Sequence, residues 1–177
     1  PERDTKTGGW KCTYRLLQSS ESLPLVFDYA WVMDGHFVFY LVDAASGGDQ
    51  SVATTLLIRA LFNDQLRNNK SDTVDLTQLI DAVEKGITCS EYASSISALF
   101  GVVDMTDSSL IVHSAGLDSV WSSGGQNKHL PEGVRLGEGC LRNKSESPLI
   151  VHNGGQLTMS KLGASSFCLD IYQGNLQ

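Results

Sequence analysis

The chain has little that would carry it into a membrane or onto a polyanion. None of its apolar runs approaches the roughly 20 residues that cross a bilayer as a helix. Basic residues are outnumbered: 13 Lys and Arg stand against 20 Asp and Glu, for a net charge of −7. Nucleic acids and anionic lipid surfaces want clustered Lys and Arg, so no membrane and no direct nucleic-acid partner is expected. Cysteine is scarce. Cys12, Cys89, Cys140 and Cys168 are too far apart for a zinc knuckle or a CxxC redox pair. Cys12 and Cys168 fall in apolar, strand-like runs, where a free thiol behaves as a small hydrophobe, and a reducing cytoplasm is expected. The start, Pro-Glu-Arg-Asp-Thr-Lys-Thr-Gly-Gly, is polar and has no signal-peptide pattern. Without one, the Asn143-Lys-Ser sequon carries no weight. There is no repeat and no low-complexity segment.

What is present is one domain's worth of core. The 177 residues are 41% hydrophobic and 19% charged, the profile of an ordinary globular domain. The stretch Phe37–Phe62 organises it. Phe37 to Val42 is a near-continuous apolar run, fitting a strand buried on both faces. Val52, Leu56, Leu57, Leu61 and Phe62 then recur at helical spacing. Leu56 and Leu57 are both expected to be buried, one on the sheet and one on a second helix. Between strand and helix stand a lone carboxylate, Asp43, and a loop with Gly47, Gly48 and Asp49. A carboxylate at the end of a buried strand needs a partner. A metal, backbone amides near Gly47 to Ser51, or a local Asx-turn would each serve.

The remaining elements follow in order. Residues 1–9 are expected to be a linker remnant and 10–177 a single domain, a fragment cut from a longer chain. Trp10–Gln18 and Leu25–Met33 read as strands. Asp34-Gly35 is a hairpin signal, with His36 as a solvated turn residue. The first helix is expected over Ser51–Arg67 and the second over Leu76–Lys85, with Asp75 and Gln78 as a capping box and Gly86 at the C′ position. Two helices joined by a short polar loop form a hairpin that must lie on a sheet. Strands follow at Ser94–Val103, Ser109–Ser114, Leu117–Trp121, Leu149–His152, Gln156–Ser160 and Phe167–Tyr172, with a turn at Ser122–Gln126 and a hairpin turn at Asn153-Gly154-Gly155. The class is α+β: a helix layer on mostly antiparallel sheet.

Local chemistry is sparse. His36, His113, His129 and His152 have no metal-ligand spacing. No Gly-x-Ser-x-Gly elbow appears for a Ser–His–Asp triad. Gly47-Gly48 ahead of a helix could cradle a phosphate, but no P-loop lysine accompanies it, and the plain reading is a flexible turn.

Several stretches nevertheless resemble, in order, the metal-dependent protein phosphatase family (PPM, protein phosphatase 2C-like) in its SpoIIE-type branch. Val26-Phe27-Asp28-Tyr29 resembles the family's Gly-Gly-Asp-Phe strand. Leu41-Val42-Asp43-Ala44-Ala45-Ser46-Gly47-Gly48 resembles its Gly-Asp-Val-Ser-Gly-His-Gly turn. Phe100-Gly-Val-Val-Asp104, Ser114-Ala-Gly-Leu117 and Arg135-Leu-Gly137 resemble Gly-Val-Leu-Asp, Asn-Ala-Gly-His and Pro-Leu-Gly. Within that fold, Leu56-Leu-Ile-Arg-Ala-Leu-Phe-Asn63 and Ser114-Ala-Gly-Leu117 are most similar to the C-terminal domain of RssB-type response regulators. The resemblance implies a sandwich of antiparallel β-sheets with a packed helical hairpin.

It also implies where catalysis has been lost. Active members hold two divalent metals, Mn or Mg, on several carboxylates and use them to activate water. By the resemblance, Asp28 and Asp43 stand at metal-site positions. Trp31 and Gln173 stand where two further ligand carboxylates belong, and two carboxylates are too few for a two-metal cluster. No cofactor is therefore expected. The resemblance implies a pseudophosphatase adaptor, partnered by the stationary-phase sigma factor, the ClpXP protease and an upstream receiver domain. Two alternatives stand beside it: a residual Mn- or Mg-dependent serine/threonine phosphatase, and a dimerisation or regulatory module.

Overall fold

The structure, a computed structural model, describes residues 5–7, 10–17, 25–32, 35–70, 73–142, 148–151, 153–160 and 166–173. The chain opens with strands β1 (Thr5–Thr7), β2 (Trp10–Leu17), β3 (Leu25–Val32) and β4 (His36–Asp43). A 3-10 turn over Ala44–Gln50 leads into helices α1 (Ser51–Arg67) and α2 (Leu76–Thr88). Then come β5 (Ser97–Asp104), β6 (Ser109–Ala115), β7 (Ser119–Ser123), β8 (Gln126–Leu130), β9 (Leu149–Ile150), β10 (Gly155–Ser160) and β11 (Ser166–Gln173). One six-stranded sheet runs β1-β2-β11-β10-β7-β8, and one five-stranded sheet runs β3-β4-β5-β6-β9. Every pairing between these strands is antiparallel. Thr5–Thr7, inside the stretch read as a linker, adds the edge strand beside β2.

Strand β4 is the spine. All eight of its residues are buried, as an apolar run without polar alternation requires. Its pleat divides them. Phe37, Phe39 and Leu41 join β5, β7, β10 and β11 side chains in the core between the sheets. Val38, Tyr40 and Val42 join Ala98, Phe100 and Val102 under the helices, against Ile58, Phe62, Leu79, Ile80 and Val83. The described helices cover the five-stranded sheet only.

Helix α1 has the expected bounds, but its register differs from the one expected. Ser51, Thr54, Ile58 and Phe62 are buried, whereas Leu56 is 61% exposed and Val52 is exposed with it. Leu57 and Leu61 are partly buried against the helix-side core. With apolar residues around most of the circumference, periodicity could not choose the inward stripe. The bulky Phe62 and Ile58 take it because Tyr40, whose ring is 4.7 Å from that of Phe62, offers a flat surface there.

Helix α2 begins as expected, with the Asp75 side chain accepting from the Gln78 amide at 3.1 Å. It runs past Gly86 to Thr88. Gly86 is therefore not a C-terminal cap. A β-carbon there would overlap the Leu61 side chain, so glycine lets α2 close on α1.

Three further expectations are corrected. His36 is buried at the start of β4, with Nε2 3.3 Å from Asp104, and is not a solvated turn residue. Asn153-Gly154-Gly155 does not close a hairpin: β9 belongs to one sheet and β10 to the other, so the chain crosses the sandwich there. Gln126, expected to end a turn, instead opens strand β8 (Gln126–Leu130), which is paired with β7. It is mostly exposed and polar, so it carries no hydrophobic alternation to read. Asp34, Asn143 and His152 lie outside the described residues.

The α1 register has a direct test. Ile58→Ala should lower stability by about 2–5 kcal/mol, and Leu56→Ala should stay within about 0.5 kcal/mol of the parent. Urea unfolding midpoints of the two variants check both values, and the reverse order would restore the sequence-based register.

Candidate functional site

Three of the motifs singled out in the sequence, the Asp43 turn, Ser114–Leu117 and Arg135–Gly137, meet at the loop end of β4. Asp43, 4% exposed, ends the strand. Its carboxylate caps the following 3-10 turn by accepting from the Ala45 amide at 3.2 Å. That is the local turn reading, with a donor earlier than the Gly47–Ser51 stretch expected. The Ser46 hydroxyl donates to the Asp43 carbonyl at 2.6 Å and accepts from the Ser97 amide at 2.8 Å. This fixes the turn to the start of β5. The Ser94 hydroxyl donates to the Gly47 carbonyl at 3.0 Å, and the Ser94 amide to the Thr54 hydroxyl at 3.0 Å. Gly47 is buried against Ile96, while Gly48 takes a φ of 61° in the open and Asp49 is exposed.

Arg135, first residue of the Arg-Leu-Gly motif, reaches into the same turn. Its Nη2 donates to the Ser46 carbonyl at 2.5 Å and to the Ser95 carbonyl at 2.9 Å. Its stem lies against Gly116, where a β-carbon would come within 2.9 Å of Arg135 Cγ. Sequence reasoning matched this residue to a proline and missed its reach. What stands at the end of β4 is a knot of serine hydroxyls, carbonyls and one guanidinium.

The two carboxylates at the expected metal positions do not meet. In the β3–β4 ladder Asp28 lies across from Tyr40, and Leu25 lies across from Asp43. Directly opposed residues share a face. Asp28 is therefore on the helix side, where the Tyr40 hydroxyl donates to it at 3.4 Å and Arg59 Nε stands 4.0 Å away. Burial and the neighbouring Asp28 carboxylate push the Tyr40 hydroxyl up, so it stays protonated and donates. Asp43 falls on the inter-sheet side, with Leu41 and the buried Leu25. Trp31 also faces the inter-sheet core, 5.2 Å from the Phe37 ring. Gln173, exposed, ends β11 opposite Trp10 on the other sheet. Among the described residues no three His, Cys, Asp or Glu side chains converge as a metal set would.

Sequence reading also passed over Glu84. It is buried on α2 among Leu79, Ile80, Val83 and Ile87. Its carboxylate accepts from the amides of Gly137 and Gly139, and from the Cys140 amide at 3.3 Å. The Cys140 thiol stands 3.7 Å away. Burial, then this carboxylate, push that thiol up to about 12. A lone acid within an apolar helical stripe was the available signal, because a buried charge needs donors. A loop with free glycine amides supplies them. The Arg135–Cys140 segment is thus held at both ends, by Arg135 to the β4 turn and by Glu84 to the helix layer.

This arrangement can be set beside known proteins. No protein-family model matches the chain. The Regulator of RpoS from Escherichia coli K12 is 28% identical over 131 residues, which cover 72% of this chain and 39% of that protein. The chain thus spans about two fifths of the length of that curated relative. Among solved structures, RsbX in complex with magnesium superposes with a TM-score of 0.72 at 9% identity, covering 97% of this chain and 99% of that one. The PP2C phosphatase domain of SpoIIE from Bacillus subtilis, solved with part of its regulatory domain, gives 0.67 at 10% identity over 95% and 64%. The chain has the PP2C-type phosphatase fold. Its two antiparallel sheets and helical hairpin are those of the PP2C-type domains, and its sequence is similar to the Regulator of RpoS.

The PP2C-type fold places a test on metal binding. A hard divalent cation wants several anionic oxygens. Here the β4 turn offers Asp43, an apolar Leu25 across the ladder, and a guanidinium already bonded to the nearby carbonyls. The described residues at this turn do not fit a two-metal centre.

Two outcomes are expected. Glu84→Ala leaves buried amides without an acceptor and should cost roughly 3 kcal/mol in urea unfolding. The buried Cys12 and Cys140 thiols, both pushed up to about 12 by burial, should resist alkylation at pH 8 in the folded protein, while the exposed Cys89 reacts. Mass spectrometry of native and urea-unfolded samples reads the difference.

Proposed function

We propose that this chain is the output domain of a response-regulator adaptor. It holds a sigma factor of the RpoS kind for delivery to the ClpXP protease and does not hydrolyse phosphoesters. An upstream receiver domain would control it. One observation carries the loss of catalysis: the β3–β4 register sets Leu25 opposite Asp43 and turns Asp28 to the helix side. Asp43 is then a vestige of the metal-bridging position, kept because it caps the turn that starts the helix layer. Trp31 and Gln173 fit positions where ligands have been lost. The similarity to the Regulator of RpoS supports the choice of partner. The absence of any described helix long and apolar enough to span a membrane agrees with a partner met in solution.

The full-length protein, titrated with its cognate RpoS-type sigma factor in a calorimeter, should show saturable binding. Titration with Mn or Mg should show none at the β4 turn, and p-nitrophenyl phosphate should not be turned over with either metal. Saturable Mn-dependent turnover, lost in Asp43→Asn, would make the domain a phosphatase and displace the adaptor reading.

A further inference from the structure

The two sheets have four outer edges, and three are protected in familiar ways. Strand β1 has three residues and β9 has two. Strand β8, Gln-Asn-Lys-His-Leu, is polar and exposed, with Lys128 at its centre. Short, charged edges resist pairing with another chain. Strand β3 has a single charged residue, Asp28, and no other such protection. It is eight residues long, reads Leu-Val-Phe-Asp-Tyr-Ala-Trp-Val, and pairs with β4 in an unbroken register without a bulge. It contains no proline or lysine, and among the named strands none lies on its outer side. Phe27, Tyr29 and Trp31 pack against the inter-sheet core yet remain only partly buried. The Trp31 indole N–H is buried and, among the described residues, has no acceptor.

We infer that β3 is the interface for a second copy of this chain, paired antiparallel through its own β3 with the register centred on Tyr29. A two-fold axis perpendicular to the sheet keeps each helix face on the same side. Opposed residues must therefore come from the same face of the strand. Centring on Asp28 would set two carboxylates against each other. Centring on Tyr29 puts Asp28 across from Ala30, Phe27 across from Trp31, and Val26 across from Val32. The aromatic residues then line one face of the new ladder, and small apolar residues most of the other. Facing aromatic pairs favour such pairing, and diagonal neighbours remain within reach of long side chains. The second copy's Tyr29 hydroxyl lies on the diagonal of Trp31, where it can accept the orphaned N–H. A foreign strand could meet the same edge, but β3 is its own complement in length, face and charge placement. The two five-stranded sheets would merge into one, with the helical hairpins on the same side. This inference does not rest on the adaptor reading, because it is measured with no other protein present.

Sedimentation velocity over a range of concentrations should show the mass rising from 19.2 kDa toward twice that value. Ala30→Glu sets a second carboxylate directly across from the second copy's Asp28, a like-charge pair, and should hold the mass at that of one chain, with far-ultraviolet circular dichroism unchanged. In a Cys89→Ser background, Tyr29→Cys should give a disulfide-linked dimer under mild oxidation. Val52→Cys, on the exposed face of α1, should not. If Ala30→Glu fails to fold, the cross-linking pair decides alone. A chain that stays monomeric throughout overturns the inference. So does a dimer that survives Ala30→Glu with the fold intact, one that cross-links through Val52→Cys, or a β3 edge that takes only a foreign peptide.

Discussion

The fold depends on β4 being apolar on both faces. Such a strand cannot face water on either side, so a layer must cover each face. The six-stranded sheet covers the side of Phe37, Phe39 and Leu41, and the helical hairpin covers the side of Val38, Tyr40 and Val42. Neighbouring β5 follows the same division. It carries glycine at 101 because the Phe39 ring occupies the space a side chain would need. The sandwich and the helix layer thus share one strand as their common wall. Distant parts of the chain are organised by which face of that wall they cover.

The chemistry open to the end of the same strand turns on how its carboxylates are placed. An inter-sheet carboxylate with other carboxylates around it is a metal site. Here Asp43 lies opposite a leucine and caps a turn, while Asp28 has turned to serve the α1–sheet contact through Tyr40 and Arg59. Positive charge in the turn comes from Arg135, which bonds two carbonyls directly. The outcome is a fixed polar junction. The β4 turn, the start of β5 and the Arg135–Cys140 loop are tied by hydrogen bonds within the protein, with no cation needed to hold them.

Glu84 extends that junction into the helices. Its carboxylate is costly to bury alone and is stabilised by the amides of a glycine loop that can present them. Because α2 carries Glu84 and α1 closes on α2 at Gly86, the helix layer and the loop end of β4 form one mechanical unit. A partner that contacts the hairpin contacts this unit.

The sequence by itself determined the element types wherever local pattern is strong. The continuous apolar run of β4, the bounds of α1 and the Asp75 cap of α2 all follow from short-range propensity and spacing. Ordered short motifs gave the PP2C-type architecture. What only the tertiary structure decided are facts about which face meets which. Leu56 and Ile58 are equally apolar, and the shape of the Tyr40–Phe62 contact chose between them. Gly86 looked like a helix stop until Leu61 lay over it. His36 looked like a turn residue until Asp104 came beside it across the ladder. Asp28 and Asp43 look like a pair in one dimension. Strand register, a property of two segments at once, puts them on opposite faces of one sheet, because side chains alternate and an odd offset separates them.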